Sequence, residues 1–208
     1  MTVIIRVVGA EIPEEFPEVM VDGMFVSAIV PVVIMTLATS AFGNEVEDRT
    51  LGYLVLKPLP RPYIVLPKMM ASVTVAGPLV IISGLVVVVV ALEGRAGMGL
   101  AVGAGLTAGA VAYSAIFTWA GLVTRHALGF ALLYVFLWEG VLARFATGLS
   151  YLSVRGYALA IMHGIDESGL SAFDDTAIEL PAAVGGATVV TVGFLWLTVR
   201  RLQRMDVP

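Results

Sequence analysis

Residues 69–92 read MMASVTVAGPLVIISGLVVVVVAL, with no charged side chain between Lys68 and Glu93. The hydrocarbon core of a bilayer is about 30 Å thick, and a spanning helix needs about 20 mostly apolar residues. The run has the length and composition of a membrane span. Reading outward from it gives four more: about 21–42, with Asp22 at its outer edge, 98–123, 128–143 and 181–199. The segment 128–143 is short and contains Glu139. The predicted fold is therefore all-α, a polytopic membrane bundle of about five transmembrane helices in a single domain over residues 1–208. Pro31 and Pro78 fall inside spans, where they are tolerated if neighbours satisfy the freed carbonyls.

Composition agrees with this class. The chain is 59% hydrophobic and 13% charged, with a mean hydropathy of +0.96. That leaves too little polar surface to coat a soluble globule of this size. The absence of cysteine excludes disulfides and thiolate metal sites. His126 and His163 have no neighbouring ligand set, so no metal site and no cofactor of the chain's own is expected. The N-terminal MTVIIRVVGAEIPEEFPE is too short in its apolar part, and too acidic after it, to be a secretory signal.

Basic residues set the orientation. If 44–68 is cytoplasmic, that side also collects Arg125, Arg200, Arg201 and Arg204 beside Arg49, Lys57, Arg61 and Lys68, leaving Arg6, Arg95, Arg144 and Arg155 outside. This bias follows the positive-inside rule and places the C-terminus in the cytoplasm. The net charge of -4 describes an acidic outer face, carried by Glu11, Glu14, Glu15, Glu18, Asp22, Glu93, Asp166, Glu167, Asp174, Asp175 and Glu179. Basic residues scattered along membrane edges give no support to nucleic-acid binding.

Between the first two spans, NEVEDRTLGYLVLKPLPRPY (44–63) is polar and rich in proline. Asn44 is a good N-cap, and Glu45, Glu47 and Asp48 follow it where a helix dipole favours acids. Leu51, Leu54 and Val55 recur at helical spacing, so 45–56 is expected to form a short amphipathic helix at the inner membrane surface, with Tyr53 and Tyr63 as interfacial anchors. KPLPRPY is expected to be non-helical, a stiff return to the membrane ending at Lys68. In the third span Gly99/Gly103 and Gly105/Gly109 show the four-residue spacing of close-packed helices, which a glycine-rich chain also produces by chance.

NEVEDRTLGYLVLKPLPRPYIVLPKMMAS resembles the cytoplasmic loop of type-2 ABC exporter permeases. The shared pattern is an acidic residue (Glu45, Glu47), Arg49-Thr50-Leu51, leucines at Leu54 and Leu56, a Pro-x-x-Arg element from Pro58 to Arg61, and Lys68. LLYVFLWEGVLARFATGLSYLSVRGYALA (132–160) is similar to the fifth span and following outer segment of that family. The resemblance covers most of the chain from about Val21. It implies a permease subunit that pairs with a second permease, as a homo- or heterodimer, and with a separate ABC ATPase that binds ATP and Mg. It also implies that residues 45–56 form a coupling helix seated in a groove of that ATPase. The ATPase-coupling residues would be Glu45, Glu47, Arg49, Thr50, Leu51, Tyr53, Leu54 and Arg61. The chain has no G-x-x-x-x-G-K-[ST] of its own and is not expected to be an enzyme. The competing expectation is a membrane anchor or assembly subunit without a transport path.

Two features remain. Glu139 is an ionisable residue inside a span, and Arg144 follows five positions later. An intramembrane acid marks a structural pair, a polar anchor at a helix break, or a translocation-path residue. The segment 145–180 is expected to lie outside, with YLSVRGYALAIMHGI on or re-entering the membrane surface. Resembling permeases begin with an elbow helix and a first span. Here five spans put the N-terminus outside, and GAEIPEEFPEV looks like the outer loop after a missing first span, so either the chain starts late, the preferred expectation, or it is a five-span variant whose missing helix is supplied or dispensed with.

Overall fold

The computed structural model describes residues 26–56, 59–91, 96–124, 126–142, 150–166 and 178–204. The N-terminal segment on which the late-start expectation rests lies outside these, as does Arg144. All regular structure among the described residues is helical. It comprises α1 (Val30–Glu47), α2 (Leu51–Val55), α3 (Pro62–Ala91), α4 (Ala96–Val123), α5 (Ala127–Leu133) with a π-helical continuation Tyr134–Leu142, α6 (Val154–Ile165) and α7 (Leu180–Gln203). Four stretches are long and apolar enough to cross a membrane: Val26–Glu47, Pro62–Val89, Gly97–Val123 and Leu180–Gln203. The fold is an all-α helical bundle, and these four helices point to a membrane protein.

α4 is the axis of the bundle. Within its most apolar window 67% of positions are buried, against 17% for α7, so α4 is wrapped while α7 keeps an open face. The wrapping depends on small residues. A methyl group on Gly121 would meet the Thr39 carbonyl oxygen of α1 at 2.3 Å, and one on Gly105 would meet the Ala158 carbonyl of α6 at 2.5 Å. Of the two spaced glycine pairs in α4, Gly105 and Gly109 face α6, while a Cβ on Gly103 would meet nothing. Polar pairing adds one link: Ser72 of α3 and Ser114 of α4 share a buried hydrogen bond of 2.6 Å.

Because the atom opposing Gly121 is backbone, a larger side chain there cannot be accommodated by a rotamer change. Gly121→Leu is expected to force α1 and α4 apart at a cost of about 1–3 kcal/mol or more. Thermal unfolding in detergent checks this, with Gly103→Leu as the control expected to melt like the parent protein.

The span edges depart from expectation in instructive ways. The second span begins at Pro62, not residue 69, because Pro62 occupies the first helical position, where its missing N–H costs nothing. Pro67 and Pro78 are both inside α3. KPLPRPY is thus only partly a non-helical return, and Lys68 lies within α3, not at its start. The helix expected over 45–56 is also corrected. α1 continues to Glu47, so Asn44, Glu45 and Glu47 belong to its last turn, and only Leu51–Val55 forms a separate helix. Asn44 is no N-cap; its carbonyl accepts from the Asp48 N–H at 2.8 Å.

The fourth expected span, 128–143, falls on a helix described from Ala127 to Leu142, shorter than the four long apolar stretches. Along α4, Trp119 meets Phe130 and Phe117 meets Tyr134 edge to face, with centroids 6.5 and 6.0 Å apart. Glu139 then lies beside Tyr113. From there α6 takes over: Ala158 packs against Gly109 and Gly105, and the Asp166 carboxylate lies over Gly97 at the far end of α4. The helix from Ala127 to Leu142 and α6 are two half-length pieces that together run antiparallel to α4 along its length. α6 therefore re-enters the bundle, and its apolar side is buried through Tyr157, Ala158, Ile161 and Met162.

Candidate functional site

Two sites emerge, one at each break in the regular helices. The first lies at the end of the bundle where α1 turns into α3. α1 is stopped by Arg49, whose φ of 58° is left-handed, and the Thr50 N–H then bonds back to the Glu45 carbonyl at 2.9 Å. This is the six-to-one bond of a Schellman ending, a place where glycine is the usual residue. α2 follows immediately. Its Leu51 packs against a cluster made of Phe42 from α1, Ile64 and Val65 from α3, Leu122 from α4 and Leu202 from α7. Leu51 thus touches a cluster drawn from the ends of four helices, and the C-terminal end of α7 lies on the same side as the turn.

The rest of the turn faces outward. Tyr53 is 74% exposed, Leu56 66% and Tyr63 73%, and Leu59 is also exposed. Glu47, Asp48, Arg49 and Thr50 are exposed beside them, while Arg61 is half-buried just ahead of α3. Leu54 lies on α2. The expected coupling residues therefore divide. Leu51 faces into the bundle, Glu45 pairs inward, and Glu47, Arg49, Thr50 and Tyr53 form the outer surface.

Glu45 is held by Lys68, the residue missing from the expected set. The Lys68 ammonium donates to Glu45 Oε1 at 2.5 Å and to the Ala41 carbonyl, and lies 4.8 Å above the Phe42 ring. It ties α3 to the last turn of α1 and supplies the cation that a helix C-terminus favours. The other carboxylate oxygen, Glu45 Oε2, is buried without a hydrogen-bond partner. Lys68→Met is expected to cost about 1–3 kcal/mol, because it leaves a half-buried carboxylate uncompensated. Glu45→Gln in the same chain is expected to recover part of that loss, and a double-mutant cycle on detergent unfolding measures the coupling.

The second site is the joint between the two half-length helices. Glu139 is 2% exposed. Its Oε1 accepts from the Val154 N–H at 3.0 Å and the Tyr134 hydroxyl at 3.2 Å, and its Oε2 from the Ser153 hydroxyl at 2.5 Å. Ser153 is the N-cap of α6 and also accepts from the Gly156 N–H at 3.0 Å. The carboxyl group therefore sits on the first turn of α6, where unpaired N–H groups and the helix dipole favour it. The π-helical register brings Tyr134 and Glu139, five positions apart, onto one face, which an α-helix does not. The Tyr113 hydroxyl is buried nearby without a hydrogen bond of its own.

This geometry is that of a structural clasp. It secures a helix break inside the bundle, where non-helical backbone is tolerated only when protein surrounds it. No cluster of metal-ligating side chains occurs among the described residues. Sequence reasoning named Lys68 only as the end of the loop, without its pairing to Glu45, and missed Tyr134 and Ser153. For Ser153 a signal existed, a serine directly before the apolar helical run VRGYALA.

Fold and sites together define an all-α helical bundle whose four long apolar helices point to a membrane protein, with an exposed turn at one end and a clasped pair of short helices in its interior. No protein-family model, curated protein or solved structure matches the chain.

Proposed function

We propose that the chain is the transmembrane permease subunit of an ATP-driven exporter of the ABC type, multi-pass in the plasma membrane with its C-terminus in the cytoplasm. The observation that carries this reading is the construction of the turn at 48–63. Leu51 is seated among residues from four helix ends while Tyr53, Leu56 and Tyr63 face away from the bundle. A partner bound to those outer residues pushes on four helices at once through Leu51. The sequence pattern of this turn, with its resemblance to the type-2 permease loop, supplies the identity of the partner: an ABC ATPase that binds ATP and Mg on its own chain. A second permease subunit completes the transporter. This chain has no catalytic role in the scheme.

The test is purification of the tagged chain from its native membranes in mild detergent. An ATPase bearing a phosphate-binding loop and present at equal stoichiometry is the expected companion, with ATP hydrolysis in the eluate. Recovery with other membrane proteins and no ATPase would replace the exporter by the anchor or assembly subunit.

A further inference from the structure

A crevice of about 370 Å³ opens between α1 and α3, just inside the exposed turn that joins them. Asn44, Glu45 and Lys68 wall one end of it, and Leu37 and Val75 wall the other. Leu37 to Asn44 on α1, and Lys68 to Val75 on α3, each advance about 10 Å at 1.5 Å per residue. Over that distance the wall changes from charged to apolar. The charged end lies within the last turn of α1, which stops at Glu47, and Val75 at the apolar end is 55% exposed on the outside of the bundle. With α1 and α3 spanning a membrane, this is the order in which headgroup level gives way to hydrocarbon.

The wall is short of donors. The Lys68 ammonium is turned to Glu45 Oε1 and the Ala41 carbonyl. The Ser40 hydroxyl donates to the Leu37 carbonyl at 2.8 Å, and the Ser72 hydroxyl, also in the wall, to the Met69 carbonyl at 2.7 Å. What is left over is an acceptor: Glu45 Oε2 has no hydrogen-bond partner, although the Glu45 side chain is 24% exposed. The terminal torsion of a glutamate is broad, so a small turn of the carboxylate presents this oxygen to the crevice. Lys68 already balances the Glu45 charge, which favours an occupant without net charge over a bare ion. That occupant must bring an N–H or O–H of its own. A primary ammonium carries three N–H donors and a trimethylammonium none. At the exposed mouth the Asn44 amide supplies a donor for an anionic group.

We propose that this crevice holds the headgroup of a zwitterionic phospholipid bearing a primary ammonium, of the ethanolamine type. The ammonium donates to Glu45 Oε2, the phosphate lies at Asn44 beside Lys68, and the first part of an acyl chain follows Leu37 and Val75. The N–H donor selects the head, and burial of apolar surface holds the chain. The proposal requires that α1 and α3 lie in a bilayer and is independent of the exporter reading above.

The experiment mixes the full chain in mild detergent with equal amounts of phosphatidylethanolamine and phosphatidylcholine of distinguishable chain mass, and reads the retained lipid by native mass spectrometry. The ethanolamine lipid is expected to be retained about tenfold over the choline lipid, the worth of one charge-assisted hydrogen bond. The N-methyl and N,N-dimethyl lipids keep an N–H and are expected to behave like the ethanolamine lipid, so that retention falls only at the last methyl. Glu45→Met with Lys68→Met removes the ion pair as a unit and is expected to erase the preference. Val75→Trp is expected to weaken retention of both lipids, and Val89→Trp, exposed on the same helix beyond the crevice, to change neither. Equal retention of all these headgroups by the parent chain would overturn the proposal, as would a decline that starts at the first methyl and so follows size. So would a preference that survives in the double variant; should that variant not fold, the methyl series on the parent chain decides alone. Tighter retention of phosphatidylglycerol would make Lys68 the centre of an anion site, and displacement of the lipid by millimolar O-phosphoethanolamine would make the ligand a soluble amine; either result rejects the lipid site. Retention is read without any ATPase, so failure to find that partner would leave the result standing.

Discussion

Glu139→Leu is expected to remove most of the folded protein from the membrane fraction, whereas Glu139→Gln is expected to express near the parental level. The difference lies in the acceptors. A glutamine carbonyl in the position of Oε1 still receives the Val154 N–H and the Tyr134 hydroxyl, and its amide can donate to Ser153, whose hydroxyl has a second lone pair. Leucine leaves all three donors buried without an acceptor, at about 1–3 kcal/mol each. That sum is comparable to the entire stability of a small domain, about 5–15 kcal/mol. Fluorescence-detected size exclusion of tagged variants in mild detergent measures the folded fraction. Normal folded yield for both variants, with loss of transport, would convert Glu139 from a clasp into a translocation-path residue.

Tyr53→Asp combined with Leu56→Asp is expected to abolish capture of the proposed ATPase while leaving the bundle unchanged. Both side chains are exposed, so the folded chain loses nothing by their replacement. A buried aromatic anchor at an interface is often worth 2 kcal/mol or more, about thirtyfold in affinity, and introducing carboxylates adds desolvation against the partner's surface. Leu51 is the wrong position for this test, since Leu51→Asp would place a charge against Phe42, Ile64 and Leu122 and unfold the inner end. Undiminished co-purification of the ATPase with the double variant would remove the turn from the interface.

Much of the bundle was legible because span length is a property of composition. All of the uninterrupted run 69–92 up to Ala91 lies within α3, 98–123 lies within α4, and 181–199 lies within α7. What was not legible depends on partners distant in sequence. Asn44 with its following acids has the pattern of a helix start, yet these residues end a helix. Lys68 neutralises Glu45 from another helix, which removes the dipole's objection to an acid there. The true stop, Arg49 in the left-handed region, carries none of the glycine signal that marks such an ending. Pro62 looked like a breaker because the same residue type opens helices as readily as it forbids them. The clasp was half visible: Glu139 was conspicuous as a lone acid, but its partner Tyr134 sits at a spacing that only a π-helical turn brings together. For the turn at one end of the bundle, the residue types were readable and their facing was not, since nothing in the sequence marks Leu51 as packed among helix ends and Tyr53 as exposed.

The broken crossing also bears on how the chain enters the membrane. An insertion machinery that reads hydrophobic length recognises stretches near 20 residues and disfavours a central acid. Residues 127–142 are too few and contain Glu139, and the twelve residues of α6 are fewer still. Neither piece is a sufficient insertion signal. Each packs on α4, α6 against Gly105 and Gly109, and the Ala127–Leu142 helix against Phe117 and Trp119. In a membrane the expected consequence is ordered assembly, with the long helices entering singly and the two short ones following as a pair when the Glu139 clasp closes.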